Sequence, residues 1–166
     1  MTNATLVGTD NATPLGTAAN PLFQSVTGAL PAGANALGSV TPTPNIDTAA
    51  LITHVAASVG VNGADQVNAS GRGIKIVVNI TAISGTTPTL TVTLQGKDVA
   101  SGAYYTILAS AALNATGTTV LTVFPGATAA ANVTANDMLP RTWRVISAIG
   151  GTTPSVTATV GASVIE

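Results

Sequence analysis

The chain has 166 residues, enough for one domain or for a domain with an appendage. It is 46% hydrophobic and only 7% charged, with a net charge of −1 and a mean hydropathy of +0.49, whereas soluble chains carry roughly 25% charged residues. Nucleic acid is excluded as a partner because phosphate binding needs clustered Lys and Arg, and five dispersed cations do not form a cluster; with no Cys there is neither a disulfide framework nor a thiolate site.

A membrane span is excluded as well. The greasiest run, IKIVVNITAI from Ile74, is ten residues long and contains Asn79, against roughly 20 for a spanning helix. The 3% aromatic content cannot supply the girdles of a transmembrane barrel. The opening MTNATLVGTD lacks the basic and apolar regions of a signal peptide, so the expectation is synthesis in a cytoplasm without export through the secretory channel.

Residues 1–48 read as an extended arm. Pro14, Pro21, Pro31, Pro42 and Pro44 are spaced too closely for a helix. Val7, Leu15, Leu22, Leu30 and Leu37 recur every seven or eight residues, and NATLVGT at Asn3 is echoed by NATPLGT at Asn11. Successive anchors in an extended chain lie about 25 Å apart, a spacing suited to lying along a neighbouring subunit.

Residues 49–166 read as an all-β domain of β-branched runs punctuated by turn residues. LITHVAASVGV alternates through Val55, Ala57, Val59 and Val61 and is assigned as a strand, with a helix starting after Asp47 in the Ala-rich LITHVAAS as the alternative. RGIKIVVNITAI is a long strand, and SGTTP is read as the loop that turns it into TLTVTLQGKD. YYTILASAAL, TTVLTVFPG and RTWRVISAI follow, the last joined by GGTTP to SVTATVGASVI. Aligned from Ala82 and Ala148, the two Gly-Thr-Thr-Pro segments agree at eight of thirteen positions, which reads as one hairpin made twice.

Leu90, Val92 and Leu94 share one face of their strand, as do Val156, Ala158 and Val160, with Thr and Ser opposite them. These residues and Trp143 form the expected core of an antiparallel, jelly-roll-like β-sandwich. The Thr faces would look outward, where they offer little charge repulsion to a neighbour.

Chemistry is poorly represented. His54 is the only His, and Asp10, Asp47, Asp65, Asp98, Asp137 and Glu166 stand apart in sequence. No paired-carboxylate site, nucleophile motif or metal-ligand spacing emerges, and the chain reads as a non-enzyme without cofactor or metal. Asp98 reads as a turn residue bonded to nearby amides, with a bound cation the lesser alternative. Arg141 and Arg144 flank Trp143, which suggests either a stacking site for a sugar or base or a solvated edge. GRG at Gly71 to Gly73 is too short for a phosphate loop. Six Asn-x-Ser/Thr tripeptides, at Asn3, Asn11, Asn68, Asn79, Asn114 and Asn132, follow from Asn and Thr abundance.

The runs GRGIKIVVNITAISGTTPTLTVTLQGKDVASGAYYTILAS and LPRTWRVISAIGGTTPSVTATVGASVI resemble small virion structural proteins of tailed bacteriophages. ALPAGANALGSV in the arm is similar to phrases in phage head and fibre-associated proteins. The resemblance implies a capsid-associated decoration or cement protein located in the virion. Fibre, neck or tail attachment, or a host-surface or carbohydrate-binding module, are the alternatives. Because a symmetric oligomer presents several arms at once, the expectation is a cyclic homo-oligomer, such as a trimer, whose partners are its own copies and the major capsid or other virion proteins; the proteins it resembles have no active site to carry over.

Overall fold

The computed structural model describes residues 48–166. They form seven strands and no helix: β1 (Thr48–Ala57), β2 (Gln66–Val67), β3 (Gly73–Lys97), β4 (Tyr104–Ala109), β5 (Gly117–Val123), β6 (Thr134–Ala135) and β7 (Thr142–Ile165). The fold is therefore all-β. The strands belong to one open sheet with the order β1-β7-β3-β5-β6, while β2 adds to β7 and β4 to β3. All strand pairs are antiparallel except β5 with β6, which makes the sheet mixed.

The two Gly-Thr-Thr-Pro segments are not hairpin loops. Each lies inside one long strand, β3 of 25 residues and β7 of 24, and the two strands pair with each other along their length. The repeat is thus one kink made twice, in facing strands. Thr86 pairs with Thr152, its own counterpart 66 positions on, so a local two-fold axis passes through the kinks. Pairs on either side of it correspond: Ile83 with Val156 answers Leu90 with Ile149, and Ala82 with Thr157 answers Thr91 with Ala148.

A bulge at Thr81 then removes one residue from the count. Beyond it Val78 with Val160 answers Leu94 with Val145, and Val77 with Gly161 answers Gln95 with Arg144. The kinks need unusual backbone. Gly85 and Gly151 have φ of 122° and 108°, and Thr87 and Thr153 have φ of 49° and 46°. β-branched residues rarely enter the left-handed region because Cβ crowds the backbone, so two at equivalent positions mark a backbone held by its surroundings.

The axis divides the sheet into two arms. One contains β1, the C-terminal half of β7, the N-terminal half of β3 and β5. The other contains β4, the C-terminal half of β3, the N-terminal half of β7 and β2. Period-two patterning buries Ile74, Ile76, Val78 and Ile80 in the first arm and Leu90, Val92 and Leu94 in the second. Trp143, Val145, Val156, Ala158, Val160 and Ala162 are buried along β7, and the buried residues of both arms form one hydrophobic cluster.

In β1 the buried face carries Ile52 and His54. The valine that alternates with them faces outward, Val55 being 77% exposed. The strand ends at Ala57, so Val59 and Val61 lie beyond it and are exposed as well. A register shift between His54 and Ala57, with Ala56 at φ 47°, ends the alternation.

Candidate interaction surface

Val7, Leu15, Leu22, Leu30 and Leu37, the anchors expected on the arm, lie outside the described residues. The expected core residues Trp143, Leu90, Val92, Leu94, Val156 and Val160 are all buried in the cluster. Trp143, 2% exposed, faces the interior, and its Nε1 has no hydrogen-bond acceptor among the described residues. The suggested stacking site between Arg141 and Arg144 is therefore not formed. The indole points inward, whereas Arg144, one position along the strand, points outward.

Arg144 stacks instead on Tyr104, with its guanidinium carbon 3.4 Å from the ring centroid. Gln95, its register partner on β3, accepts a hydrogen bond from Arg144 Nε at 2.9 Å. Tyr104 stands opposite Lys97 on β4, and its hydroxyl donates to Asp65 Oδ1 at 2.7 Å. Asp65 immediately precedes β2 on the far side of β7, so the Tyr104 side chain bridges β4 to the β2 margin of the sheet. Lys97 Nζ donates to Asp65 Oδ2 at 2.6 Å and lies 5.1 Å from the Tyr104 ring centroid. The hydrogen bonds from Lys97 and then Tyr104 hold Asp65 below the usual carboxylate range, and the same Asp65 contact raises Lys97. Both groups are well solvated, so the pair adds little stability.

Away from this cluster the outward rows are uncharged or nearly so. Thr53, Thr159, Asn79 and Thr118 form one row across four strands, and Gly161, Val77 and Val120 form another. Val77 and Val120 are 38% and 41% exposed. Val59, Val67, Val99 and Met138 are exposed as well. Among the described residues the outer side of β1 pairs with no strand, and this edge carries no Asp, Glu, Lys or Arg.

His54 is buried and hydrogen-bonded through Nε2 to Ser147 Oγ at 2.9 Å. Ser147 Oγ also accepts the Val61 amide at 2.9 Å. The contact ties β1 of one arm to β7 in the other, and burial lowers the His54 pKa. Among the described residues no cluster of His, Asp or Glu could hold a metal. The Asp98 carboxylate accepts the Ser101 hydroxyl and the amides of Ala100 and Ser101, each amide at 3.2 Å, which in that order lower its pKa. It shapes the turn from β3 to β4, where Asp98 and Ala103 close the loop through their backbones. A shallow depression between Ala112 and Thr119 carries no titratable side chain.

No protein-family model, curated protein or solved structure matches this chain.

Gln95, Tyr104, Asp65, Lys97 and Ser147 were not visible as partners in the sequence, because they meet only through pairing between distant strands. The repeat offset of 66 is compatible with facing strands related by a two-fold, but it does not fix the register that sets Gln95 opposite Arg144.

Proposed function

We propose that this chain is a structural virion protein, a decoration or cement component that binds copies of itself and neighbouring shell proteins, made in the host cytoplasm and carried in the virion. The supporting observation is the outer surface: hydroxyl and aliphatic rows, exposed valines and an open β1 edge, with three of its charges, Asp65, Lys97 and Arg144, drawn together around Tyr104. Monomers rarely leave such surface uncovered, because apolar patches associate. An edge strand without charge accepts a further strand through backbone hydrogen bonds.

In this reading the two arms fold face to face as a β-sandwich built from one sheet bent at its paired kinks. The shared cluster and the His54–Ser147 contact support that arrangement. The first 48 residues hold adjacent subunits through Val7, Leu15, Leu22, Leu30 and Leu37, and a cyclic homo-oligomer such as a trimer presents several such contacts at once. Catalysis has no part in it. A glycan-binding module fits less well, because Trp143 is buried and Arg144 stacks on Tyr104.

Sedimentation of the purified chain, alone and with purified particles, tests the reading. The expected result is a concentration-dependent oligomer that saturates sites on particles, and loss of particle binding on deletion of residues 1–45 with the β domain still folded. A solitary monomer at high concentration with no affinity for particles overturns it.

A further inference from the structure

We propose that Arg144 is a docking point for a carboxylate side chain of a neighbouring protein, an inference that rests on the reading of this chain as a protein-contacting structural component. An exposed arginine ordinarily loses rotamer freedom when it binds, which offsets much of the contact. Arg144 has already lost that freedom. Its Nε–H is held by Gln95 and its plane by the Tyr104 ring, and Tyr104 is anchored through Asp65, which Lys97 also holds.

Only Nε of the guanidinium has an acceptor among the described residues. The end carrying the two Nη groups is thus the part left to bind, and its fork matches the two oxygens of a carboxylate in bidentate fashion. Charge narrows the choice of ligand. Asp65 lies in the field of both cations, but its two oxygens are taken by Lys97 at 2.6 Å and by Tyr104, so the group keeps one net positive charge and Arg144 is the cation with no bonded carboxylate among the described residues. A single planar cation suits a monoanionic carboxylate better than a phosphate, which draws on several cations or amides.

The uncharged rows around it fit a protein surface. Gln95 and Arg144 sit in the same outward layer as Thr93, Thr91 and Ala148, so a partner seated there would bury hydroxyl and methyl groups with one ion pair among them. Partial exclusion of water strengthens that pair relative to one at an open surface.

The test is a titration of the full chain followed by the Arg144 Nε–H and Tyr104 ring resonances, at constant ionic strength, with N-acetyl-glutamate N-methylamide, glucuronate and methyl phosphate. The expected result is a saturable shift with the glutamate amide, weakened about tenfold or more in Arg144→Lys, which keeps the charge but loses the fork. Gln95→Ala, which removes the Nε acceptor and leaves the guanidinium itself in place, weakens the same titration about threefold while the melting temperature stays unchanged. Absence of a saturable shift, a shift that survives in Arg144→Lys, or tighter saturation by glucuronate or methyl phosphate overturns the proposal. Sedimentation with particles separates this outcome from the wider one. A chain that binds particles but fails the titration loses the carboxylate site alone, whereas one that passes the titration but stays a solitary monomer loses the virion reading.

Discussion

Replacing Gly151 with Ala tests whether the two Gly-Thr-Thr-Pro segments hold each other. A Cβ built there would lie 2.6 Å from the Thr87 carbonyl oxygen, 2.9 Å from that of Thr86 and 3.0 Å from Pro88 Cα. At the equivalent Gly85 the same atom would meet Thr153 O at 2.7 Å, Pro154 Cα at 3.0 Å and Thr152 O at 3.1 Å. These neighbours are backbone of the opposite kink and cannot swing aside. The positive φ adds roughly 1–2 kcal/mol for a side chain, and the forced contact adds about 1–3 kcal/mol. Alanine's smaller unfolded-state entropy returns about 0.4–1 kcal/mol, so each variant loses roughly 2–4 kcal/mol.

Gly102 supplies the control, since it has φ of 72° with nothing within 4 Å of a built Cβ. Gly102→Ala should therefore lose only about 1 kcal/mol, from conformation alone. Urea denaturation, read as the shift in midpoint at constant slope, measures all three. Because Gly85 and Gly151 press on each other's kink, the double variant should be less destabilised than the sum of the singles. Equal losses at Gly102, Gly85 and Gly151 would refute the paired-kink argument.

Thr87→Gly and Thr153→Gly should each raise stability by about 0.5–1 kcal/mol, because relief of left-handed strain exceeds the added unfolded-state entropy; thermal melting up by a few degrees checks this, and a decrease at both sites contradicts it. Gly96→Ala should lose about 1 kcal/mol or less, since its Cβ would collide with the far end of the half-exposed Tyr105 side chain, which can swing aside, and that loss should vanish in a Tyr105→Ala background, as a double-mutant cycle would show. His54 is held neutral by burial, with its folded pKa below the ordinary 6.5. The unfolded chain then binds the extra proton, so the stability is fully present above about pH 6.5 and falls as pH drops through the interval below it. Denaturation at neutral pH and near pH 5 should show this decline in the wild type and a smaller one in His54→Gln; equal declines would remove His54 as the cause.

What could be read from the sequence followed from local rules. Alternation along TLTVTL and SVTATV placed Leu90, Val92, Leu94, Val156 and Val160 on buried faces, because a strand sends alternate side chains to opposite sides whatever it pairs with. Asp98 was legible as a turn residue for the same reason, its partners lying within three positions. The connection through SGTTP was not legible. Gly and Pro mark a break in regular backbone, and a break serves a hairpin and a kinked strand alike; the choice depends on whether Thr89 to Leu94 pairs back onto Ile74 to Ile83 or onward to β7, and that is a tertiary matter. Which face of LITHVAASVGV is buried was not legible either. Ile52 and His54 take the buried face because Ser147, 93 positions away from His54, supplies the hydrogen bond that lets an imidazole be buried there.

The local two-fold also bears on how the surface would be used. Counted outward from Thr86 and Thr152, with Thr81 set aside as the bulge, Val77 with Gly161 on one arm occupies the place of Arg144 with Gln95 on the other. One outer face therefore carries an aliphatic centre, extended by Val120 beside Val77, and its counterpart carries a guanidinium fixed over Tyr104. Inside, the difference is one of volume: Trp143 faces Gly96 where Ile76 faces Ala162, so a large residue stands opposite a small one in both arms. The interior keeps the symmetry through compensation, while the exterior breaks it in chemical character. Two faces of like geometry and unlike chemistry cannot serve the same contact equally well, because an ion pair desolvated against the Val77 face would have no partner. Exchanging them by Val77→Arg together with Arg144→Val should accordingly not restore whatever association Arg144→Val alone removes, and sedimentation of the single and double variants would show full recovery if the faces were interchangeable.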